Sequence, residues 1–446
     1  MSGVRESGNI LGTMPVDRLV LTMSAPIMIS MLVQALYNIV DSIFVSRINE
    51  YALRAVSLAF PIQSLMIAVA VGTAVGINAF LSRTLGEKDF EKANIIARNS
   101  IFIAIASYIG FAVVGALISR PFFASQTEVL EVREYGVTYL TICCVAGMGI
   151  FLQTTFERLL QATGKTMYTM ITQSTGAIIN IILDPIMIFV LGWGAAGAAT
   201  ATVIGNVCTD IFFVWFLIKK SKNLSVDPRG FHISRSEIGA VFAIGIPASV
   251  TNLMQSIGIA LTNRALLGFG DDKVAAMGIV MKINMIAALV LVGFAFGGQP
   301  LTGYNYGARN RTRLKATLKF AYLLEGGMAL VLMAVLGFFA PQMVKIFMSD
   351  PSVVENGALM LRLQLAGMLC MGIVLISTCT FQSAGQAMGA FLLSVSRQGV
   401  VFAVVLMIAL KVAGYYGVLA SQAISDFLTA VLAVVLVWRW WKKVDF

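Results

Sequence analysis

Two aspartates stand inside stretches of sequence that are otherwise apolar. Asp41 lies near the end of the first long hydrophobic run, and Asp184 belongs to the run Asn180-Ile-Ile-Leu-Asp184-Pro185. A carboxylate inside hydrocarbon costs several kcal/mol unless it is paired, protonated or facing water, and such acids mark ion and proton pathways. The chemistry these residues offer is therefore the reversible binding of a proton or a small cation.

Polar side chains accompany Asp41 at helical spacing. Gln34, Tyr37, Asn38 and Asp41 follow the i, i+3, i+4, i+7 pattern. Residues at this spacing share one face of an α-helix. The sequence therefore predicts a polar face on the first long helix, with Gln34, Tyr37 and Asn38 available to line a substrate cavity.

Depth in the membrane brings further groups to the level of the acids. At a rise of 1.5 Å per residue, Asp41 and Asp184 lie roughly 6–10 Å below the external boundary. The same count puts Thr202 near the depth of Asp184 and Tyr139 slightly higher, while Asn180 lies one turn below Asp184. Carboxylate, amide and hydroxyl oxygens suit a hard cation. We predict a coupling site for H⁺ or Na⁺ at Asp41, Asn180, Asp184 and Thr202, with no other cofactor.

Such a pocket could couple two movements. An acid held away from water can take up a proton near neutral pH, and if the ion and a substrate favour different states of the protein, linkage joins their transport. That arrangement describes an antiporter. The simpler alternative is that Asp184 caps backbone near Pro185 and Asp41 pairs with Arg47.

The elements that must position these residues are membrane-spanning helices. The 446 residues are 58% hydrophobic and 12% charged, whereas soluble domains carry about 25% charged residues. A spanning helix needs roughly 20 apolar residues, and the runs here are too long and continuous for barrel strands. We predict an all-α polytopic membrane protein with twelve spans, at about residues 17–45, 56–82, 96–119, 135–157, 167–191, 195–218, 236–267, 274–303, 316–340, 356–381, 387–412 and 416–440.

The net charge of +10 is distributed unequally between the two sides of the membrane. Of the 32 Lys and Arg residues, 21 fall in segments on the side of the N-terminus and 7 on the other side. The positive-inside rule then predicts that both termini are cytoplasmic. The cations belong to membrane topology, and we expect no nucleic-acid partner.

Cysteine and histidine usage argues against several other kinds of site. The single histidine, His232, falls in a polar segment, and all five cysteines fall in apolar runs. No zinc site or disulfide framework is indicated. A membrane enzyme would need a catalytic cluster such as His/Asp or paired His, so we predict that the protein is not an enzyme.

The chain repeats itself at an offset of 221 residues. The matching pairs include Pro26 with Pro247, Gly72 with Gly293, Gly76 with Gly297, and Gln161 with Gln382. We predict an N-terminal six-helix lobe at 1–220, a cytoplasmic linker at 221–235 and a C-terminal six-helix lobe at 236–446. Parallel repeats are a known plan for transporters, with the substrate between them. A duplicated scaffold without transport is the alternative.

The repeat makes the acids more informative. Asp41 falls on Thr262 and Asp184 on Val405. Scaffold residues should recur in both halves, so the two acids indicate a function of the first half alone. Other charges inside predicted spans could line a cavity or pair structurally, and these are Asp210, Lys282, Glu325, Arg397 and Asp426. For the cavity we select Lys282 from these, together with Gln255 on helix 7.

Several motifs, taken together, resemble the MATE (multidrug and toxic compound extrusion) transporters. They are Asn180-Ile-Ile-Leu-Asp184-Pro185, Gln161-Ala-Thr-Gly164, Gly194-Ala-Ala-Gly197-Ala-Ala-Thr200, and Gln299-Pro300 followed by Gly303-Tyr-Asn-Tyr-Gly307-Ala308. The resemblance covers nearly the whole chain. It implies two lobes around a V-shaped cavity, and export of cationic, often aromatic compounds in exchange for H⁺ or Na⁺ across a bacterial inner membrane.

The resemblance also bears on individual residues. In one branch of the family the cation site matches Asp41, Asn180, Asp184 and Thr202, with Gln34, Tyr37 and Tyr139 nearby. Another branch has its acids on helices 7 and 10, where this chain has no matching acid. We expect a bacterial member that uses the first-half site, works as a monomer and has small cationic substrates and the lipid bilayer as partners. The same superfamily includes lipid and lipid-linked oligosaccharide flippases, which should have a more cationic cavity.

Overall fold

The structure, a computed structural model, describes residues 10–48, 50–220, 235–348 and 350–444, and the regular elements of this part of the chain are helices. The predicted linker at 221–235, with His232, lies outside the described residues apart from Arg235. The helices are α1 Ile10–Thr13, α2 Val16–Ser46, α3 Glu50–Gly86, α4 Phe90–Gln126, α5 Leu130–Val145, α6 Met148–Ala162, α7 Thr166–Pro185, α8 Gly194–Lys220, α9 Arg235–Leu266, α10 Asp271–Gly307, α11 Arg311–Phe338, α12 Ala340–Lys345, α13 Pro351–Ala366, α14 Met368–Ser383, α15 Ala387–Gln398 and α16 Val400–Lys443.

The predicted spans are confirmed as long apolar helices, some of them broken. Within the described residues, ten helical segments are long and apolar enough to cross a membrane, and the pair α5 and α6, bent by 42°, makes an eleventh. The segment Ala387–Lys443 has 57 residues. A straight helix of that length would measure about 85 Å, far beyond the roughly 30 Å of a hydrocarbon core.

A glycine divides this last segment into two spans. Gly414 has φ 55° and ψ −126°, which is outside helical geometry. Three residues later the chain has returned against itself, because a Cβ placed on Gly417 would lie 1.9 Å from the carbonyl oxygen of Ala409. Eight residues of straight helix would separate those positions by about 12 Å. The turn at Gly414 therefore produces the twelfth span.

Each half of the chain forms its own bundle. In the first half α2 packs against α7, α7 against α8, and α3 against α4, α5 and α6. In the second half α9 packs against α15, α10 against α13 and α14, and α11 against α14. Three contacts between halves are extensive, namely α3 with α9, α2 with α10 and α3 with α10. These four helices hold the halves together.

Glycines allow these helices to approach closely on one side of the bundle. We call it the N-terminal side, because α2 begins there. A Cβ on Gly76 of α3 would lie 2.2 Å from the carbonyl oxygen of Val241, and one on Gly297 of α10 would lie 2.3 Å from the Cα of Ser24. One hydrophobic cluster on this side draws on both halves. On the opposite side, separate clusters lie in the first half and in the second. The halves are thus joined on the N-terminal side.

Candidate cation site in the first half

A break in helical geometry follows Asp184 directly. Proline has no backbone N–H, so Pro185 cannot continue the hydrogen-bond ladder. The chain goes on as a π-helix over Ile186–Val190, in which the amide of Leu191 donates to the carbonyl of Ile186 at 2.9 Å. π-Helical turns are rare and occur frequently at functional sites. The break places Asp184 at the last regular turn of α7, the helix that packs against α2.

The two acids face each other. Asp184 is 0% exposed, Asp41 is half-buried, and their carboxyl groups are close enough to interact electrostatically. Among the described residues, no donor forms a hydrogen bond with either carboxylate oxygen of Asp184 or with Oδ1 of Asp41. The alternative in which Asp184 caps nearby backbone does not describe this geometry.

Three more side chains extend the site from α7 to α8 and α2. The Nδ2 of Asn180 donates to the hydroxyl of Thr202 at 3.3 Å. The hydroxyl of Tyr37 lies 3.4 Å from the same oxygen, and the Thr202 hydroxyl also reaches the carbonyl oxygen of Ala198 at 3.1 Å. Asn180 is 3% exposed. The structure thus brings Tyr37, Asn180 and Thr202 together across three helices.

The oxygen atoms of this cluster have the chemistry that a cation would need from its ligands. Four buried acceptor oxygens of the site lack a donor among the described residues: Oδ1 of Asp41, Oδ1 of Asn180, and both carboxylate oxygens of Asp184. Buried oxygens normally have a hydrogen-bond partner, so a cluster without donors is suited to a bound proton or a hard cation such as Na⁺. In the described ranges, no three His, Cys, Asp or Glu side chains come together as a metal group. The candidate ligands are therefore the carboxylate oxygens of Asp41 and Asp184 and the neutral amide oxygen of Asn180.

The corresponding position in the second half holds no acid. Thr262, which the repeat places at the position of Asp41, is 5% exposed, and its hydroxyl donates to the carbonyl of Gly258 in its own helix at 3.0 Å. The contacts therefore follow the asymmetry that the sequence shows.

The remaining residues predicted for the first half surround the site. Gln34 lines, with Tyr37, Asn180 and Thr202, a cleft with about 350 Å³ of empty space. Tyr139 is 7% exposed and accepts a hydrogen bond from Gln63 at 3.1 Å. Asn38 is exposed on α2.

Two residues predicted for the cavity lie in the second half. Gln255 on α9 and Lys282 on α10 are both exposed. None of the hydrogen bonds described for residues 10–48, 50–220, 235–348 and 350–444 joins them to the first-half cluster. They stay a prediction for the cavity wall.

A second polar network was missed by the sequence reading. On α6 the Oε1 of Glu157 accepts from Gln161 at 2.7 Å, and its Oε2 accepts from Gln173 of α7 at 2.7 Å. Gln153 donates to Gln173 at 3.3 Å, and both line the cleft named above. Gln153, Glu157 and Gln161 are spaced by four residues, and this polar helical face was the available signal.

The other intramembrane charges differ from one another. Arg397 and Asp426 form an ion pair at 2.9 Å with both side chains largely buried, so structural pairing is the finding for these two. Asp210 is 9% exposed and its Oδ1 has no donor among the described residues. Glu325 is 1% exposed.

Comparison with known proteins agrees with the repeat and with the fold. The MatE family model matches residues 26–186 and 247–408. The two matched segments begin 221 residues apart, which is the offset of the internal repeat. The chain therefore belongs to the MatE family.

Relatives and solved structures cover nearly the whole chain. Multidrug export protein MepA of Staphylococcus aureus is 29% identical over 429 residues, which are 95% of this chain and 94% of that protein. MepA of Staphylococcus haemolyticus is 29% identical over 420 residues, 93% and 92% of the two chains. A structure described as the outward-facing conformation of a multidrug resistance MATE family transporter superposes with a TM-score of 0.94 at 25% identity, covering 99% of both chains.

Proposed function

We propose that the protein is a multidrug exporter of a bacterial inner membrane, which exchanges cationic or amphiphilic compounds for H⁺ or Na⁺. The relatives that match nearly its full length are named multidrug export proteins, and this likeness supports drugs rather than lipid-linked oligosaccharides as substrates. The observation that carries ion coupling is the cluster of buried oxygens without donors at Asp41, Asn180 and Asp184.

Helix α2 connects the proposed ion site to the contact between the two halves. One end of this helix carries Asp41 against α7, and the other end packs against α10 of the second half, with Ser24 at Gly297 and Met28 at Gly293. A cation that draws Asp41 and Asp184 together changes how α2 sits on α7. Because the same helix forms the contact between halves, ion binding favours one arrangement of the halves over another, which is what coupling requires.

The direction of transport follows from the predicted topology. If the N-terminal side is cytoplasmic, the joined side of the halves faces the cytoplasm and the structure is open to the outside. The similarity to an outward-facing transporter supports this assignment. In that state the site exchanges its cation with the external medium and releases substrate.

The decisive experiment is efflux of a fluorescent cationic dye from cells or vesicles that contain the native chain, Asp41→Asn or Asp184→Asn. We expect each variant to lose at least about tenfold in initial rate, since it removes a charge from a two-carboxylate site and couplings between sites are commonly 5–150-fold. Asp17→Asn is the matched control, because it is the same substitution on the same helix at an exposed position, and it should leave the rate unchanged.

The same assay separates the two ions. Replacement of Na⁺ by K⁺ abolishes efflux if Na⁺ drives transport, and collapse of the proton gradient abolishes it if H⁺ does. Native rates in both Asp→Asn variants would contradict the proposed site, and the absence of dye efflux by the native chain would contradict the proposed function.

A further inference from the structure

A second buried acid lies in the other half of the molecule, near the middle of α11. Glu325 is 1% exposed, and neither carboxylate oxygen has a donor among the described residues. The carboxyl group lies against Gly372 of α14, where an added Cβ would be 2.8 Å from the Cγ of Glu325. A glycine is therefore required to make room for the acid.

The internal repeat shows what stands at the same place in the first half. At the offset of 221 residues, Glu325 corresponds to Ala104 and Gly372 to Phe151. Ala104 and Phe151 belong to one buried hydrophobic cluster. A small residue packed against a large ring in one half is thus replaced by an acid packed against a glycine in the other. The scaffold can be built without a carboxyl group, so the acid has another reason to be there.

Among the described residues, no Lys or Arg side chain forms an ion pair with Glu325. The thiol of Cys379 on α14 lies within electrostatic reach of the Glu325 carboxyl group, and the guanidinium of Arg158 on α6, which stacks over Phe296, interacts with the same thiol. On α11 itself, the hydroxyl of Tyr322 is engaged with Ser377 at 2.8 Å. An isolated buried carboxylate is very costly, whereas burial of the neutral acid costs far less. The place suits a carboxyl group that carries its proton while the halves are in this arrangement.

The location of the acid ties it to the contact between halves. Ala321, one turn from Glu325, and Cys379 belong to the hydrophobic cluster that draws on both halves at the N-terminal side. When the halves separate on that side, this cluster opens and water gains access to the acid. Hydration stabilises the charged form, so the carboxyl group would release its proton in that state.

We propose that Glu325 is a proton-binding site of the second half, distinct from the Asp41–Asp184 site, and that it exchanges its proton once in each transport cycle. The proton binds a carboxylate oxygen in the state shown and leaves to water on the N-terminal side after the halves part. The transport part of this proposal rests on the proposed exporter function, whereas proton binding does not.

Infrared spectroscopy of the purified protein in lipid nanodiscs tests proton binding independently of transport. We expect the native protein near neutral pH to show a carbonyl band of a protonated carboxylic acid, shifted in D₂O. Glu325→Gln should remove this band, and Asp184→Asn should leave it in place. An identical spectrum in native protein and Glu325→Gln would overturn the site.

A repacked variant separates charge from volume. The double substitution Glu325→Ala with Gly372→Phe reproduces the apolar pair of the first half, so it keeps the space filled if Glu325→Gln alone folds poorly. Dye efflux should fall at least about fivefold in both variants, the lower end of usual coupling between sites. Native efflux in either folded variant would overturn the role in the cycle. If the native chain exports no dye, the exporter function fails while the infrared result still decides the proton site.

Discussion

The chemistry proposed for the first-half site depends on buried oxygens that have no hydrogen-bond donor among the described residues. In most buried clusters an amide or hydroxyl donor faces each carboxylate, and the cluster is then a closed structural network. Here Asn180 donates its Nδ2 to the hydroxyl of Thr202, and its Oδ1 has no donor among the described residues. We therefore expect Thr202 to set the direction of the Asn180 amide, and with it the oxygens that the proposed site offers to an ion.

A hydroxyl deletion on α8 tests this role. Thr202→Val should weaken the apparent affinity for the coupling ion, because Asn180 loses its acceptor and leaving a buried donor unsatisfied costs about 1–3 kcal/mol, roughly 5–150-fold. The measurement is dye efflux as a function of external pH or Na⁺ concentration. Thr200→Val is the control, since both threonines bond a carbonyl in their own helix, at 2.7 Å and 3.1 Å, and only Thr202 contacts Asn180 and Tyr37. Equal effects of the two substitutions would refute the role.

At this scale the sequence was informative where helices are regular. Depth placed Thr202 near the level of Asp184 and Asn180 one turn below, and the structure has Thr202 in contact with Asn180. Glu157 was missed because the predicted fourth span ended at that residue, whereas the chain bends near Ala146 and continues helical to Ala162. A bend moves every later residue relative to the membrane plane, and we found no local sequence pattern that predicted this bend.

At the scale of elements, the arrangement of the halves depends on glycines that admit a neighbouring backbone. Gly297 lies where α10 crosses α2, with the backbone of Ser24 close to where its Cβ would be. The next residue, Gly298, has open space within 4 Å of its added Cβ. Glycines in membrane helices are expected to mediate close packing, but sequence alone could not distinguish these two neighbours, because which one faces α2 depends on helix rotation.

Adding one methyl group at this crossing should shift the balance between conformations. Gly297→Ala overpacks the N-terminal side by about 1–3 kcal/mol, so states in which that side is open gain population. Spin labels on Tyr51→Cys and Leu267→Cys, both exposed on the opposite side, in a background without native cysteines, report the distance between halves there. We expect a larger fraction of short distances in Gly297→Ala than in Gly298→Ala. Indistinguishable distributions would show that this crossing does not control the arrangement.

For the molecule as a whole, duplication supplies the scaffold and departures from it supply the function. The family match repeats at the same offset as the sequence, and the packing of each half is built from corresponding helices. The acids proposed for ion binding are the exceptions: Asp41 and Asp184 in the first half and Glu325 in the second. The twelve-helix plan could be read from hydropathy, because a membrane requires long apolar helices. The side on which the halves are joined could not be read from hydropathy, because both arrangements of the halves use the same sequence.

The direction of export depends on which side of the membrane holds the closed contact. The excess of cations, 21 against 7, predicts cytoplasmic termini. Alkaline phosphatase fused after Phe446 should therefore be inactive in cells, and the enzyme fused after Tyr416, which follows the eleventh span, should be active. A fluorescent protein that matures only in the cytoplasm should give the reverse pattern at the same two positions. Activity of the phosphatase after Phe446 would place the joined side outside. The structure would then be open to the cytoplasm, and the carboxyl groups of Asp41 and Asp184 would exchange their cation with the internal medium in this state. That result would reverse the order in which we propose that the ion is bound and the substrate released.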